Sequence, residues 1–328
     1  MQAVEPLLAM LRAAAEPTRL RLLALVAHGA FCVTDLTEIL HQSQPRLSRH
    51  LRLLCEAGLL TRVREGAQVW FALPSGDQAA LARAFLARLS DSDPVLAADR
   101  RHAARVLSER ARAASDSFRR RGADWDEMRA LNLPAAAVEQ AILDLLPAGG
   151  IDRLLDIGTG TGRLLELLGP RAAEGVGVDA SKAMLALARA RLSRAGLTHC
   201  AVRLGDMYRL PLADAGVDVA LLHMVLHHAD DPAAVLAEAG RVLRPGGLLV
   251  IVDLAAHDRA DLAARLAHRW PGFSEPAMLD LLAGSGLQPA VGRLVSGLLD
   301  VRLWSARRPM PAVHQPATGS ILHPALSF

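Results

Sequence analysis

Residues 154–162 read LLDIGTGTG: an apolar run ends in Asp156, and glycines follow at 158, 160 and 162. Glycine is required where backbone must turn sharply and lie close to a ligand, because a Cβ would block the approach. A dinucleotide-binding loop carries glycines at its first, third and sixth places. Here the last glycine falls at the fifth place, and the sixth is Arg163. A second apolar run, GVGVDAS (175–181), ends in Asp179, where a carboxylate can accept both hydroxyls of a ribose. A third acid, Asp206, follows the run AVRL. Histidines then gather after a fourth run, at 223, 227 and 228 in LLHMVLHH, with His257 and His268 beyond a fifth. Imidazole is suited to move a proton near pH 7. The chemistry on offer is the gripping of a nucleoside, with bases close by.

Such residues need a scaffold that brings strand tips together. From residue 151 onward, apolar runs and helical stretches alternate, which predicts a doubly wound parallel sheet of the α/β class. Strands are expected in RLLDIG, GVGVDAS, AVRL, DVALLH and LLVIVDL. GLQPAVGRLVS and GLLDVRLWSAR supply two late strands, expected as an antiparallel pair. Open sheets of this kind bind ligands at the C-terminal ends of their strands.

Taken together, LLDIGTGTG, GVGVDAS, AVRLGDMYRLPL and DVALLHMVLHHADDP resemble the class I S-adenosylmethionine (SAM) methyltransferases over about residues 125–308. The resemblance implies a Rossmann-like, seven-stranded sheet, with SAM as cofactor and S-adenosylhomocysteine (SAH) as its product. It assigns cofactor contacts to Asp156, Gly158, Thr159, Gly160, Gly162, Asp179, Ser181, Asp206, Met207 and His223. Asp206 would accept from the adenine amino group, and Met207 would pack on the ring or simply belong to the core. ADWDEMR (123–129) resembles the segment that folds over the cofactor, which nominates Trp125 and Arg129 as a lid. Trp125 reads equally well as an anchor between domains. No catalytic residue is fixed: His227, His228 and His257 are the candidates, against the plainer roles of packing or cofactor contact. Displacement at a sulfonium can proceed by proximity and desolvation alone.

The front of the chain has a different grammar. EPTRLRLLALV (16–26) forms an apolar helical face ending before Gly29, and Thr34 is placed to cap a second helix, DLTEIL. After a polar turn, RLSRHLRLLCEAGLL (46–60) puts Leu47, Leu51 and Leu54 on one face. Gly58 ends that helix, and TRVREGAQVWFAL alternates like two strands about Glu65-Gly66. Helix, turn, helix and hairpin is the order of a winged-helix reader of double-stranded DNA. Five arginines and one glutamate between 46 and 64 can neutralise phosphates. The DNA-contact candidates are Gln44, Arg46, Ser48, Arg49, His50, Arg52 and Arg64.

EPTRLRLLALV, VTDLTEIL, QPRLSRHLRLLCEAGLL and REGAQVWFAL resemble the ArsR/SmtB repressors over about residues 5–90. This implies a homodimer on a palindromic operator, for which Leu81, Phe85 and Leu89 offer a seam. Soft-metal sensors of that family carry two cysteines where this chain reads Cys32-Val33-Thr34-Asp35-Leu36. One thiolate cannot complete such a site, and Asp99 with His102 reads as a surface pair. No metal is therefore expected.

A chain of 328 residues has room for two cores. Residues 1–122 hold eighteen arginines against twelve acids, whereas the remainder holds nineteen basic groups against twenty-two acids. Only the front is expected to meet a polyanion. The expected organisation is a DNA-binding and dimerisation domain (1–90), a helical linker and lid (91–147), a methyltransferase domain (148–308) and a disordered tail (309–328). Helices are predicted at about 77–89, 95–121 and 134–146. There is no signal-like start and no apolar run of membrane-spanning length, so a cytoplasmic protein without a membrane partner is expected. Cys32, Cys55 and Cys200 make no disulfide framework.

Two functions compete. One is a transcription regulator whose C-terminal domain reads SAM, SAH or a methyl acceptor; the other is a small-molecule methyltransferase that controls its own operon. The combination, with regulation as the main output, is the preferred reading. Arsenite methylation is set aside because Cys200 is the only cysteine of the C-terminal half. Base methylation in nucleic acid is set aside because the amide loop such enzymes use is absent after the fourth strand.

Overall fold

The computed structural model describes residues 4–65, 68–74, 77–90, 92–120, 133–259 and 269–311. The first part runs α1 (Val4–Ala14), α2 (Pro17–Val26), β1 (Phe31–Cys32), α3 (Val33–Leu40), α4 (Gln44–Glu56), β2 (Thr61–Glu65), β3 (Gln68–Ala72), α5 (Asp77–Leu86) and α6 (Pro94–Arg120). The strands form a small antiparallel sheet in the order β1-β3-β2. Pro17 opens α2, and the Glu16 side chain accepts from the Arg19 N–H at 2.8 Å. Leu22, Leu36, Leu47, Leu51 and Leu54 are fully buried and form the centre of one core. Each contributes about 1.5–3 kcal/mol by leaving water.

Two expectations are corrected in this part. Thr34 does not cap α3; Cys32 is the cap residue, and its N–H donates to Asp35 Oδ2 at 2.9 Å. Asp99 is not a surface acid: it is 3% exposed and takes Arg21 Nε and Nη2, each at 2.7 Å. A second buried acid, Asp35, meets Arg110, so α6 is fastened to α2 and α3 by two ion pairs. Phe85 is half-buried against its own core, and Leu89 lies beyond the end of α5. Among the described residues, no group of three His, Cys, Asp or Glu gathers as metal ligands.

The second part runs α7 (Ala135–Leu145), β4 (Ile151–Ile157), α8 (Arg163–Leu168), β5 (Ala172–Asp179), α9 (Lys182–Arg194), β6 (Cys200–Leu204) and β7 (Val217–His223). It continues through α10 (Pro232–Val242), β8 (Leu243–Leu254), α11 (Glu275–Gly284), β9 (Gln288–Val295) and β10 (Val301–Arg307). The sheet has seven strands in the order β6-β5-β4-β7-β8-β10-β9, and β10 alone pairs antiparallel with both its neighbours. β4 through β8 are parallel. One core lies on each face, with Ile142, Leu165 and Leu185 in one and Leu236, Met278 and Trp304 in the other. Burial on both faces explains why β7 is apolar almost throughout. The winding direction reverses between β4 and β7, the place where open sheets leave a crevice at their strand ends.

The architecture is thus a winged helix-turn-helix followed by a Rossmann-like α/β sheet. The helices predicted at 77–89, 95–121 and 134–146 are found at 77–86, 94–120 and 135–145. Among the described residues, no helix is long and apolar enough to cross a membrane.

Candidate functional site

A cavity of about 770 Å³ opens at the C-terminal ends of β4, β5 and β7. Gly158, Thr159, Gly160, Asp179, Ser181, Asp206, Met207 and His223 line it, as does His228. The glycine loop is laced to β5, because the Gly158 and Thr159 N–H groups donate to Val178 O at 2.7 and 3.0 Å. Asp179 at the tip of β5 holds two backbone N–H groups. Its Oδ2 accepts from the Gly160 N–H at 2.9 Å, and its Oδ1 accepts from the Ser181 N–H at 2.7 Å.

The three glycines have different reasons to be glycine. At Gly158 (φ +71°) an added Cβ would lie 2.3 Å from Val225 Cγ2. At Gly162 (φ +75°) it would lie 3.1 Å from Ala188 Cβ of α9. Gly160 (φ +51°) has only its own loop within reach, so its bare backbone faces the open cavity. That is the cradle a bound molecule would lie against, and a side chain there would fill it.

Asp156 and Gly162 sit beneath the cavity and do not line it. Asp156 is 2% exposed and accepts from Thr159 Oγ1 at 2.6 Å. Burial, with a smaller push from the Asp179 charge, raises its pKa to about 7 against the pull of the Thr159 hydroxyl. Burial also raises Asp179, opposed by the two N–H groups it accepts. Each Asp179 oxygen keeps acceptor capacity beyond its backbone partner, so a pair of adjacent hydroxyls fits it. Asp206 is exposed at the rim, where it also accepts from the Tyr208 N–H at 3.0 Å. Met207 lines the cavity and packs on the core behind it, so its geometry serves both readings.

Of His227, His228 and His257, His228 lines the cavity, where His223 also stands. His227 is turned away: its ring is fully buried, with Nδ1 2.6 Å from Asp253 Oδ1. Asp253 also accepts from the N–H groups of Leu226, His227 and Leu254 at 3.0, 3.2 and 2.8 Å. The pair holds the turn after β7 in place and cannot touch a bound molecule. His257 stands apart from the cavity too, its Nδ1 accepting from the Arg259 N–H at 3.1 Å. Trp125, Arg129 and His268 lie outside the described residues.

Sequence reading missed an ionic rim. Arg163 at the start of α8 reaches both oxygens of Glu139 on α7 at 2.8 Å, and Glu166 at 2.9 Å. All three line the cavity, with Arg191 and Met184 of α9. The only local signal was an arginine where a dinucleotide loop keeps glycine. Nothing near Arg163 in sequence points to Glu139.

On the first part of the chain, Gln44, Arg46, Ser48, Arg49 and Arg52 are exposed along α4, opposite the buried leucines. Arg64 is exposed on β2. His50 departs from this face. It is half-buried, with Nδ1 3.5 Å from Glu16 Oε2, so it braces α4 against the start of α2.

Residues 16–62 match the model of the bacterial regulatory protein, arsR family, and residues 155–251 match the methyltransferase domain model. An uncharacterized 37.1 kDa protein in transposon Tn4556 of Streptomyces fradiae is 41% identical over 120 residues, 36% of this chain and 34% of the relative. A malonyl-[acyl-carrier protein] O-methyltransferase of Marinomonas sp. is 30% identical over 177 residues, 51% of this chain and 63% of the relative. The chain thus spans about a third to three-fifths of the length of these two relatives. Among solved structures, a chain from the complex of the Haloferax volcanii Trm112 methyltransferase activator matches at TM-score 0.51. It is 20% identical, and the match covers 61% of this chain and 98% of that one, which establishes the fold. An ArsR-family helix-turn-helix therefore precedes a methyltransferase domain in one polypeptide.

Proposed function

We propose that this chain is a DNA-binding transcription regulator of ArsR type whose C-terminal domain binds SAM and SAH and methylates a small-molecule acceptor. One observation carries the reading: the Asp179 carboxylate, tied to the bare backbone of Gly160, faces a 770 Å³ cavity at the strand tips. Asp179 would hold the ribose, Asp206 the adenine amino group and Met207 its ring. Gly158, Thr159, Gly160, Ser181 and His223 would complete the wall, with Asp156 and Gly162 supporting it from below. Bound SAM would supply an electrophilic methyl group on a sulfonium. The residues here bind and orient, and His228 is a candidate base that lines the cavity. The malonyl-[acyl-carrier protein] O-methyltransferase relative supports turnover on an acceptor other than nucleic acid.

The DNA reading rests on α4, which presents Gln44, Arg46, Ser48, Arg49 and Arg52 to solvent, with Arg64 on the hairpin. The organisation proposed is 1–90, 91–147, 148–308 and 309–328, as a cytoplasmic homodimer. Support for a second copy comes from α1, where Val4, Leu7 and Leu11 leave an apolar stripe 72%, 36% and 42% exposed. The test is titration of operator release with SAM and with SAH. DNA affinity that differs between the free and loaded protein is expected; identical affinity throughout overturns the regulatory half. Transfer of label from SAM to a metabolite extract tests the enzymatic half.

A further inference from the structure

We propose that helix α9 relays occupancy of the adenosyl pocket to the DNA-binding hairpin through the contact between Arg189 and Trp70. The inference rests on the reading of the cavity as a SAM/SAH site and of the winged helix as a duplex reader, and it names the device that joins them.

One side of α9 belongs to the pocket. Its cap, Ser181, hangs from Asp179 by its N–H and accepts from the Met184 N–H at 3.3 Å. One turn on, Ala188 abuts Gly162 so closely that a Cβ on the glycine would sit 3.1 Å away. Farther along, Arg191 lies 3.9 Å from Glu166 on the rim. A molecule that draws on Asp179 and the glycine loop therefore pushes or pulls on α9 at several points.

The other side of α9 belongs to the winged helix. The buried Arg189 guanidinium lies 3.5 Å from the centroid of the Trp70 ring, and its Nη2 donates to Val202 O at 3.4 Å. Trp70 sits in the middle strand of the small sheet, opposite Val63 of β2 and Cys32 of β1. Any tilt of its ring is felt by both neighbouring strands. Leu192 and Ser193 face Phe31 and Leu107 across a cleft of only about 20 Å³, room for about one water. A seam packed this tightly passes displacement on instead of absorbing it. Trp70 Nε1 is buried and meets no hydrogen-bond partner among the described residues.

The experiment uses the full chain and a duplex that it selects from a random 30-bp library. Duplex affinity is measured by anisotropy with and without saturating SAH, and SAH affinity by calorimetry with and without duplex. In the wild type each ligand changes the affinity of the other by the same factor, about tenfold. In Arg189→Met and in Trp70→Leu, SAH still binds without DNA and the duplex still binds without SAH, but the factor falls to near one. The more conservative Arg189→Lys keeps a cation at the ring and gives an intermediate factor, which covers the case that a larger change unfolds the seam. An undiminished factor in the folded variants overturns the relay alone. A factor of one in the wild type, with both ligands bound, overturns the regulatory reading and the relay together.

Discussion

In the unfolded chain Asp156 ionises near pH 4, whereas burial beneath the glycine loop delays this until about pH 7. Between those values the folded state holds a proton that the unfolded state has lost. The contribution of Asp156 to stability is therefore fully present below about pH 4, falls as pH rises through 7, and is lost above. The loss is up to about 4 kcal/mol over that window. Asp156→Asn keeps an acceptor for the Thr159 hydroxyl and cannot ionise. By scanning calorimetry the variant gains stability relative to wild type at pH 8 compared with pH 5; an unchanged difference at both pH values refutes the assignment. Asp179 answers to a different measurement, since it touches the ligand in the proposed site. Asp179→Ala removes an acceptor of charge-assisted hydrogen bonds worth about 1.5–3 kcal/mol, so SAH affinity by calorimetry falls about 10- to 100-fold. Variant binding at wild-type strength would remove Asp179 from the site.

These acids were legible because strand tips and glycines lie next to them in sequence. The histidines were not. His227 and His228 are neighbours, yet one is locked to Asp253, twenty-six positions away, and the other lines the cavity. Which way each ring turns depends on β8, and no local pattern encodes that.

At the scale of elements, the same distinction holds. The strands of the large sheet announced themselves as apolar runs, because burial on both faces leaves little room for polar residues. The leucines of α4 announced its inner face. What escaped was every feature set by a distant partner. Asp99 looked like a surface acid because Arg21, seventy-eight residues earlier, had no visible link to it. Thr34 looked like a cap because Ser and Thr usually are, whereas the Asp35 side chain satisfies the Cys32 N–H itself. His50 read as one more polar residue on α4 until Glu16 was seen behind it. That contrast yields a paired prediction. Arg46→Ala or Arg49→Ala, on the exposed face, lowers the slope of log affinity against log salt by about 0.9 each for duplex DNA. His50→Ala leaves that slope alone and lowers the melting temperature instead. A slope change at His50 equal to that at Arg49 would return His50 to the DNA face.

For the whole molecule, the question is what covers α1. Met10 and Ala14 are its buried contacts, while Val4, Leu7 and Leu11 recur at three- and four-residue spacing on a face that meets water. Phe85, one of the three residues expected to form a seam, packs partly against its own core. A second copy seated on α1 would bring two α4 helices to a duplex together, one for each half of a palindrome. Joining two weak readers in this way raises apparent affinity by 10²–10⁴, because the second contact becomes intramolecular. The double variant Leu7→Glu, Leu11→Glu places charges in that stripe and changes no residue of the pocket or of α4. Sedimentation is expected to show a monomer, and duplex affinity to fall at least about 100-fold. SAH affinity in the absence of DNA is expected to stay at the wild-type value, since the cavity is built within one chain. If the variant still sediments as a dimer, the stripe on α1 is not the contact between copies. If it is monomeric and yet binds duplex as the wild type does, each winged helix reads DNA alone and the palindrome is not required.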